Sequence, residues 1–260
     1  MGNDKPLIAI LGGTGMLGSM MTKVMDLDFR QFSRPDFDAE YDYIDFTGYK
    51  VINCVGVIKP YCHDVGRAIR INALFPHYLP AGSIQIATDC VFAGEYGDYV
   101  EDDRHDAYDV YGKTKSLGEA DHLHNLRCSI IGPEIKNHNS LLDWFLGQEV
   151  DEVNGFTNHI WNGVTTLHFA RIVQGAIRHQ VELPSVQHIV PADKVTKYEL
   201  LQIIADVYGK KINIKPIEAN EDCDRSLSTN NPQLNRLLWK CAGYDEPPTI
   251  KQMIKELASL

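Results

Sequence analysis

Four short apolar runs are separated by segments of helical spacing, and the first is followed at once by a glycine-rich turn; together these predict an α/β fold. The runs are residues 6–11 (PLIAIL), 51–57 (VINCVGV), 83–88 (SIQIAT) and 128–131 (CSII). They are continuous rather than alternating, the pattern of strands covered on both faces of a parallel sheet. Helical spacing occupies 65–79 and 111–123, and glycines stand at Gly12, Gly15 and Gly18. The expected architecture is a Rossmann-like doubly wound parallel sheet with a smaller C-terminal substrate-binding lobe.

The first strand, 6–11, runs into the glycine turn and then a helix. Only fifteen residues separate Arg34 from Lys50. That is too few for the third strand and crossover of a full doubly wound sheet, so the connection is expected to be abbreviated. The strands at 51–57, 83–88 and 128–131 alternate with the helices at 65–79 and 111–123. After Gly132 and Pro133 the pattern loosens into a helix at 140–146, a polar-aromatic stretch at 155–163 (GFTNHIWNG) and a helix at 165–178. A strand at 186–190, a helix at 196–208, a strand at 212–217 and a last helix from Thr249 complete the second half.

The chain has 260 residues, 44% of them hydrophobic, which is ample for a buried core and excludes a disordered, collagenous or coiled-coil chain. Lys and Arg number 25 against 35 Asp and Glu, a net charge of −10 and the wrong sign for a nucleic-acid binder. An anionic ligand must therefore be held by local features. Six cysteines, Cys54, Cys62, Cys90, Cys128, Cys223 and Cys241, show no CxxC or other metal spacing, so no metal site is expected. The segment MGNDKP lacks the basic and apolar regions of a signal peptide, and no apolar run approaches the ~18 residues of a membrane span. The expectation is a reduced, cytoplasmic protein without membrane attachment.

The turn GGTGMLG at 12–18 follows a strand and opens a helix, the context of a dinucleotide site. Gly12 permits the tight turn, Gly15 lets a pyrophosphate approach the backbone, and Gly18 allows close helix packing; Thr14, Met16 and Leu17 supply the remaining backbone. Tyr111 and Lys115 stand four apart on one helical face, and of twelve tyrosines only Tyr111 has Lys at that offset. A neighbouring ammonium favours the phenolate and draws a phenol towards the working range of an acid-base catalyst. Thr88 closes the strand 83–88, where ligands of open α/β sheets bind, and its hydroxyl is suited to hydrogen-bond a substrate carbonyl beside Tyr111.

With these motifs the sequence resembles the extended short-chain dehydrogenases/reductases, in particular the sugar-nucleotide reductase branch of dTDP-4-dehydrorhamnose reductase and its relatives. The resemblance spans nearly the whole chain. It rests on GGTGMLG (12–18), INCVGVIKP (52–60), NALFP (72–76), ATDCVFAG (87–94), YGKTKSLGE (111–119) and RCSIIG (127–132). It implies NAD(P)H-dependent reduction of the C4 ketone of a nucleotide-activated 4-keto-6-deoxy sugar, with Thr88, Tyr111 and Lys115 as the catalytic triad and Asn72 supporting Lys115. The cofactor would be NADPH or NADH. Besides the glycine turn, Val55 and Gly56 would line its site, Arg34 would welcome a 2'-phosphate and so favour NADPH, and Asp38 would meet the adenine. The substrate would be met by Asp89, Cys90, Val91, Asn158, Trp161 and Arg225. Residues 1–135 would form the dinucleotide-binding domain, with helix 165–178 packing back on it, and 136–260 mainly the substrate-binding lobe. A homodimer is a possible assembly.

Two departures from the family's usual TDYVFDG string stand here: Cys90 replaces its tyrosine and Ala93 an acidic residue. The acidic pair that nucleotide-sugar dehydratases place after the active-site threonine is half missing, since Asp89 is followed by Cys90, which disfavours dehydration. Two other readings remain open. One is a bifunctional 3,5-epimerase/4-reductase, with Cys90 abstracting protons alpha to the ketone and His159 reprotonating. The other is a non-catalytic dinucleotide-binding regulatory subunit, which a fold alone does not exclude.

Overall fold

The computed structural model describes residues 7–136 and 138–260. Pro6, the first residue of the expected opening strand, lies outside them. In chain order the first half runs β1 (Leu7–Leu11), α1 (Met16–Val24), β2 (Phe29–Phe32), β3 (Tyr49–Asn53), α2 (Val65–Ala68), β4 (Ile84–Thr88), α3 (Val110–Leu117), β5 (His124–Cys128) and β6 (Ile130–Ile131). The second half runs α4 (Leu141–Leu146), β7 (Glu152–Phe156), β8 (His159–Trp161), β9 (Val164–Thr165), α5 (Thr166–Arg178), β10 (Val186–His188), β11 (Val195–Thr196), α6 (Lys197–Tyr208), β12 (Asn213–Ile217), β13 (Cys223–Asp224), α7 (Pro232–Cys241) and α8 (Ile250–Ala258).

Six strands form one parallel sheet in the order β10-β5-β4-β3-β1-β2. β3 lies on the far side of β1 from β2, so the order reverses at β1 and leaves a crevice at the strands' carboxyl ends. The abbreviated connection takes the place of a strand and crossover: residues 33–48 contain no helix or strand. In their place Phe37 and Phe46 turn inward and meet Phe32, Tyr49 and Phe75 edge-on or tilted, with ring centroids 5.3 to 6.4 Å apart. Aromatic rings thus close the apolar face that a helix would otherwise cover.

The main core lies between the sheet, α1 and α5, and continues through α6, α7 and α8. α5 is buried along most of its length and packs on α1, while β10 adds the sheet's outer strand beyond β5. Side-chain caps set where the helices begin: Ser140 accepts from Asp143 N, Thr165 from His168 N, Thr196 from Glu199 N and Thr249 from Gln252 N.

Several elements differ from the sequence reading. The strand expected at 128–131 is displaced to His124–Cys128, and Ile130–Ile131 pairs separately with β9. β5 reads HNLRC, and its Asn125 and Arg127 are buried in hydrogen-bonded networks rather than excluded from the core. The helix expected at 65–79 changes pitch twice, from α through a π turn at Ile69–Leu74 to a 3₁₀ turn at Phe75–Tyr78, where Pro76 interrupts regular hydrogen bonding. α3 stops at Gly118 rather than reaching 123. The helix α7 is absent from the sequence reading altogether.

Candidate active site

The carboxyl ends of β1, β3 and β4 face one crevice, and the sequence determines what lines it. At its β1 end, Gly12 adopts φ +75 and its carbonyl accepts from Gly15 N at 2.9 Å, closing the turn. A β-carbon on Gly18 would come within 2.1 Å of Gly12 O, so the first turn of α1 presses onto the loop only because Gly18 has none. Gly15 has open space above it, with nothing nearer to such an atom than Gly12 O at 3.4 Å. Thr14 and Gly15 are exposed, Met16 is half-buried and Leu17 is buried. Free backbone N–H groups at the start of α1 and an uncrowded Gly15 fit a pyrophosphate. Val55 and Gly56 run beside this turn; a β-carbon on Gly12 would lie 3.0 Å from Val55 Cγ2.

Past β2, Arg34 is exposed and stands 3.6 Å from Asp38 in an ion pair, at the end of the crevice where the second strand closes. Gln31, which the sequence reading does not single out, lies across Gly13 and donates to Ser33 Oγ at 2.8 Å.

At the β4 end, Thr88 is buried in extended conformation. Its hydroxyl donates to Asp89 Oδ1 at 3.1 Å and accepts from Cys90 N at 3.2 Å. Tyr111 arrives from α3, capped by Asp109, whose carboxylate accepts from Gly112 N at 2.8 Å and pairs with Lys59 at 2.7 Å. Gly112 lets the helix come this close: a β-carbon there would lie 2.3 Å from Cys90 O. The result sets the Tyr111 ring beside Thr88, whose hydroxyl eases the phenol's ionisation, although burial outweighs this and holds the phenol above its usual value.

Lys115, one turn on, is buried and donates to Ile86 O at 2.7 Å, so the easing of the Tyr111 phenol expected from a neighbouring ammonium is not found: burial dominates, and Lys115 is not among the leading influences on that phenol. Burial lowers its ammonium from 10.5 to about 8, and the nearby Glu119 carboxylate partly restores it. Asn72, on the π turn, accepts from Val57 N at 2.7 Å, donates to Val57 O at 2.9 Å and reaches Thr114 Oγ1 at 3.3 Å. Its amide thus ties the chain after β3 to α3 beside Lys115.

Next to Thr88, Asp89 is buried and its carboxyl is raised by that burial, against the opposing charges of Arg225 and Lys197. Burial pushes the Cys90 thiol up to about 12, and Asp89 adds to the rise. Val91 is fully buried behind them. Arg225 donates through Nε to Phe92 O at 2.8 Å and through Nη1 to Cys223 Sγ at 3.1 Å. Trp161 is buried and donates to Ser129 Oγ at 2.9 Å. Asn158 and His159 face the 219–222 turn instead: Asn158 exchanges hydrogen bonds with Ala219 and donates to Asp222 Oδ1, and the His159 ring meets Glu221 O at 3.1 Å.

Lys197 is missed by the sequence reading. It is the first residue of α6, 5.5 Å over the Trp161 ring, and close enough to Asp89, Cys90 and Cys223 to feel their charges. The available signal was a cation at the first position of a well-capped helix, where the macrodipole favours an acid.

A six-stranded parallel sheet whose strand order reverses at β1, with helices on its faces, defines a Rossmann-like α/β fold. Nearly the whole chain superposes on solved dTDP-4-dehydrorhamnose reductases. The structure from Clostridium acetobutylicum has a TM-score of 0.78 at 21% identity, covering 97% of this chain and 98% of that one. The Bacillus anthracis structure, in complex with NADP, has a TM-score of 0.79 at 18% identity over 97% and 98%. The structure from Yersinia enterocolitica has a TM-score of 0.78 at 16% identity over 98% and 99%. No protein-family model and no curated protein matches the chain. Among the described residues no helix is long and apolar enough to cross a membrane, and no group of three potential ligands is placed to hold a metal ion.

Proposed function

We propose that the protein is an NAD(P)H-dependent reductase of the C4 ketone of a nucleotide-activated 4-keto-6-deoxy sugar. The observation that carries this reading is the placement of Tyr111 beside Thr88 at the mouth of β4, with Lys115 on the same helix face and the glycine turn across the crevice. Gly12, Thr14, Gly15, Met16, Leu17 and Gly18 would hold the pyrophosphate, and Val55, Gly56 and Lys115 the nicotinamide end; when bound, the cofactor supplies the hydride. Thr88 orients the carbonyl oxygen and Tyr111 delivers its proton. A phenol kept protonated by burial begins in the state a proton donor needs. Lys115 would bind the nicotinamide ribose, with Asn72 holding the Val57 backbone and α3 in register.

Reduction without epimerisation is favoured by Cys90. A thiol pushed up to about 12 is neutral at physiological pH and a poor base for a proton alpha to the ketone. The same reading places the dinucleotide on residues 1–135, with α5 packed against them, and the sugar nucleotide mainly on 136–260. It prefers NADPH through Arg34, and it sets the enzyme in the cytoplasm, with a homodimer as its possible assembly.

The test is oxidation of NADPH by purified protein with a dTDP- or UDP-linked 4-keto-6-deoxy sugar, run in D2O with the product read by NMR and mass. C4 reduction without solvent deuterium at C3 or C5 is the expected outcome. Deuterium that disappears in Cys90→Ser while C4 reduction persists would establish the epimerase-reductase instead. Dinucleotide binding with no turnover on any 4-keto sugar nucleotide would overturn catalysis.

A further inference from the structure

β4 is paired unequally on its two sides. Along β5 all five of its residues have partners, from Ile84–His124 to Thr88–Cys128, whereas along β3 the register ends at Asn53–Gln85. Ser83 O accepts from His124 N, so Ser83 and Gln85 turn their backbone groups to β5, while Ile84 and Ile86 turn theirs to β3. In an unbroken parallel ladder the next bond on the β3 side would run from Val55 N to Ile86 O. Val55 N donates instead to Asn53 Oδ1 at 3.0 Å, a side-chain turn two residues long, and Cys54 N crosses to Leu11 O at 3.0 Å.

The Ile86 carbonyl is thereby left without a strand partner, and the buried Lys115 ammonium takes it at 2.7 Å. Asn53 is held in this role. Its Nδ2 donates to Gln85 Oε1 at 2.7 Å, both side chains are buried, and Gln85 Nε2 leans towards Ile86 O at 3.4 Å. A backbone N–H can meet only the oxygen of the amide, which fixes the orientation of the Asn53 group. The same turn brings Cys54 and Val55 against Gly12, so one side chain shapes the crevice floor and the seat of the lysine together.

We infer that Asn53, held by Gln85, is a positioning residue for Lys115: by taking the Val55 N–H it ends the β3–β4 ladder one bond early and leaves the Ile86 carbonyl as the socket in which the ammonium seats. The inference deepens the reductase reading above and rests on it for the role of the lysine. An ammonium has three donors; with one on Ile86 O, two remain for a neighbouring pair of ribose hydroxyls. Asn53 acts through the Val55 N–H and the Ile86 carbonyl and makes no hydrogen bond to Lys115 itself.

The experiment follows the Lys115 ammonium by NMR of isotope-labelled lysine in cofactor-free protein, its signal assigned by its absence from Lys115→Met, in wild type, Asn53→Leu and Asn53→Asp. The charged and titratable groups that bear on that ammonium are the Glu119 carboxylate on α3 and the Cys54 thiol beyond β3, and these variants keep both. Asn53→Leu keeps the size and removes the acceptor, freeing the Val55 N–H to extend the ladder to Ile86 O and displace the ammonium. The titration of Lys115 is then expected to fall by about one pH unit or more, because an acceptor of the charged form is lost. NADPH should bind this variant about tenfold more weakly at pH 7. Asn53→Asp keeps the turn, and Lys115 should titrate at or above its wild-type position. A merely structural asparagine would lower stability in both variants and leave the titration in place, which would overturn the inference; so would a fall in Asn53→Asp as large as that in Asn53→Leu. If Asn53→Leu does not fold, Asn53→Ala is read by the same criteria. Should the wild type reduce no keto sugar, a lowered titration in Asn53→Leu still establishes the socket and the reductase reading alone fails, whereas an unmoved titration in an active reductase overturns the socket alone.

Discussion

Arg127 grips both carboxylate oxygens of Glu119, Nε to Oε1 at 3.1 Å and Nη2 to Oε2 at 2.5 Å, in a bidentate pair buried between the exit of α3 and strand β5. The remaining guanidinium donors meet His188 at 2.6 Å and His105 at 2.8 Å, so one arginine joins α3, β5, β10 and the loop before α3. Glu119 follows Lys115 by four residues and its charge supports that ammonium. The pair therefore fixes the exit of the helix that carries Tyr111 and also sustains the Lys115 charge.

Glu119→Gln should destabilise the fold by about 3–5 kcal/mol, because it strands a buried guanidinium. Chemical denaturation measures this. Glu119→Gln with Arg127→Met should recover much of the loss; a double variant no better than the single would mean that packing rather than charge dominates.

Tyr111→Phe removes the transferable proton and keeps the ring. Turnover is expected to fall at least about 100-fold with NADPH affinity changed less than about threefold. Stopped-flow turnover and fluorescence titration read the two separately, and a variant retaining a tenth of the rate would transfer the proton role elsewhere.

Lys115 should give dinucleotide binding an alkaline limit. With its ammonium lowered to about 8, its charge is present below that pH and lost above it, so affinity falls as pH rises through about 8. The limb should vanish in Lys115→Met and shift to lower pH in Glu119→Gln. Stability moves oppositely: the unfolded lysine keeps its proton up to about 10.4, so stability rises between the two values and unfolding does not mimic the loss.

Acid should destabilise the protein through His168 and His188, both lowered by burial from 6.5 to about 4. Each is neutral when folded at pH 5 but takes a proton when unfolded. Stability is therefore full above about pH 6.5 and declines as pH falls towards 4, by on the order of 3 kcal/mol per histidine. Urea unfolding at pH 7, 5.5 and 4.5 follows the decline, which should be shallower in His168→Gln.

Arg34→Ala should lower the NADPH-over-NADH preference in kcat/KM roughly tenfold, since a guanidinium at the end of β2 is suited to a 2'-phosphate. An unchanged ratio would remove Arg34 from the cofactor site.

The sheet's core strands were legible because β1, β3 and β4 are apolar runs, and the glycine turn because backbone proximity admits no other residue at Gly18. β5 was misplaced because it buries Asn125 and Arg127, whose hydrogen bonds come from residues distant in sequence. α7 had a usable signal, Pro232 at its first position with Leu238 and Trp239 on one buried face, obscured by the polar string before it. Thr88 and Tyr111 meet as strand end and helix spacing alone suggest, whereas the Lys115 ammonium turns to the Ile86 carbonyl, an arrangement that spacing does not reveal. The surroundings of Asp89 and Cys90 were less legible: Lys197 and Arg225 reach them only through the packing of β8, β13 and the start of α6, and Asn158 and His159, beside Trp161 in sequence, turn to a different loop.

The position of β10 bears on how the chain reaches this structure. β5 has β4 on one side, and residues 185–189 close its other edge. Until that strand is in place, Asn125 lacks the Ser185 carbonyl that its amide donates to, and Arg127 lacks His188. A nascent chain emerging through residue 135 holds the glycine turn, Thr88 and Tyr111 but presents a raw, polar sheet edge. Synthesis of the first half therefore does not deliver a finished half, and maturation of the crevice waits on some fifty further residues.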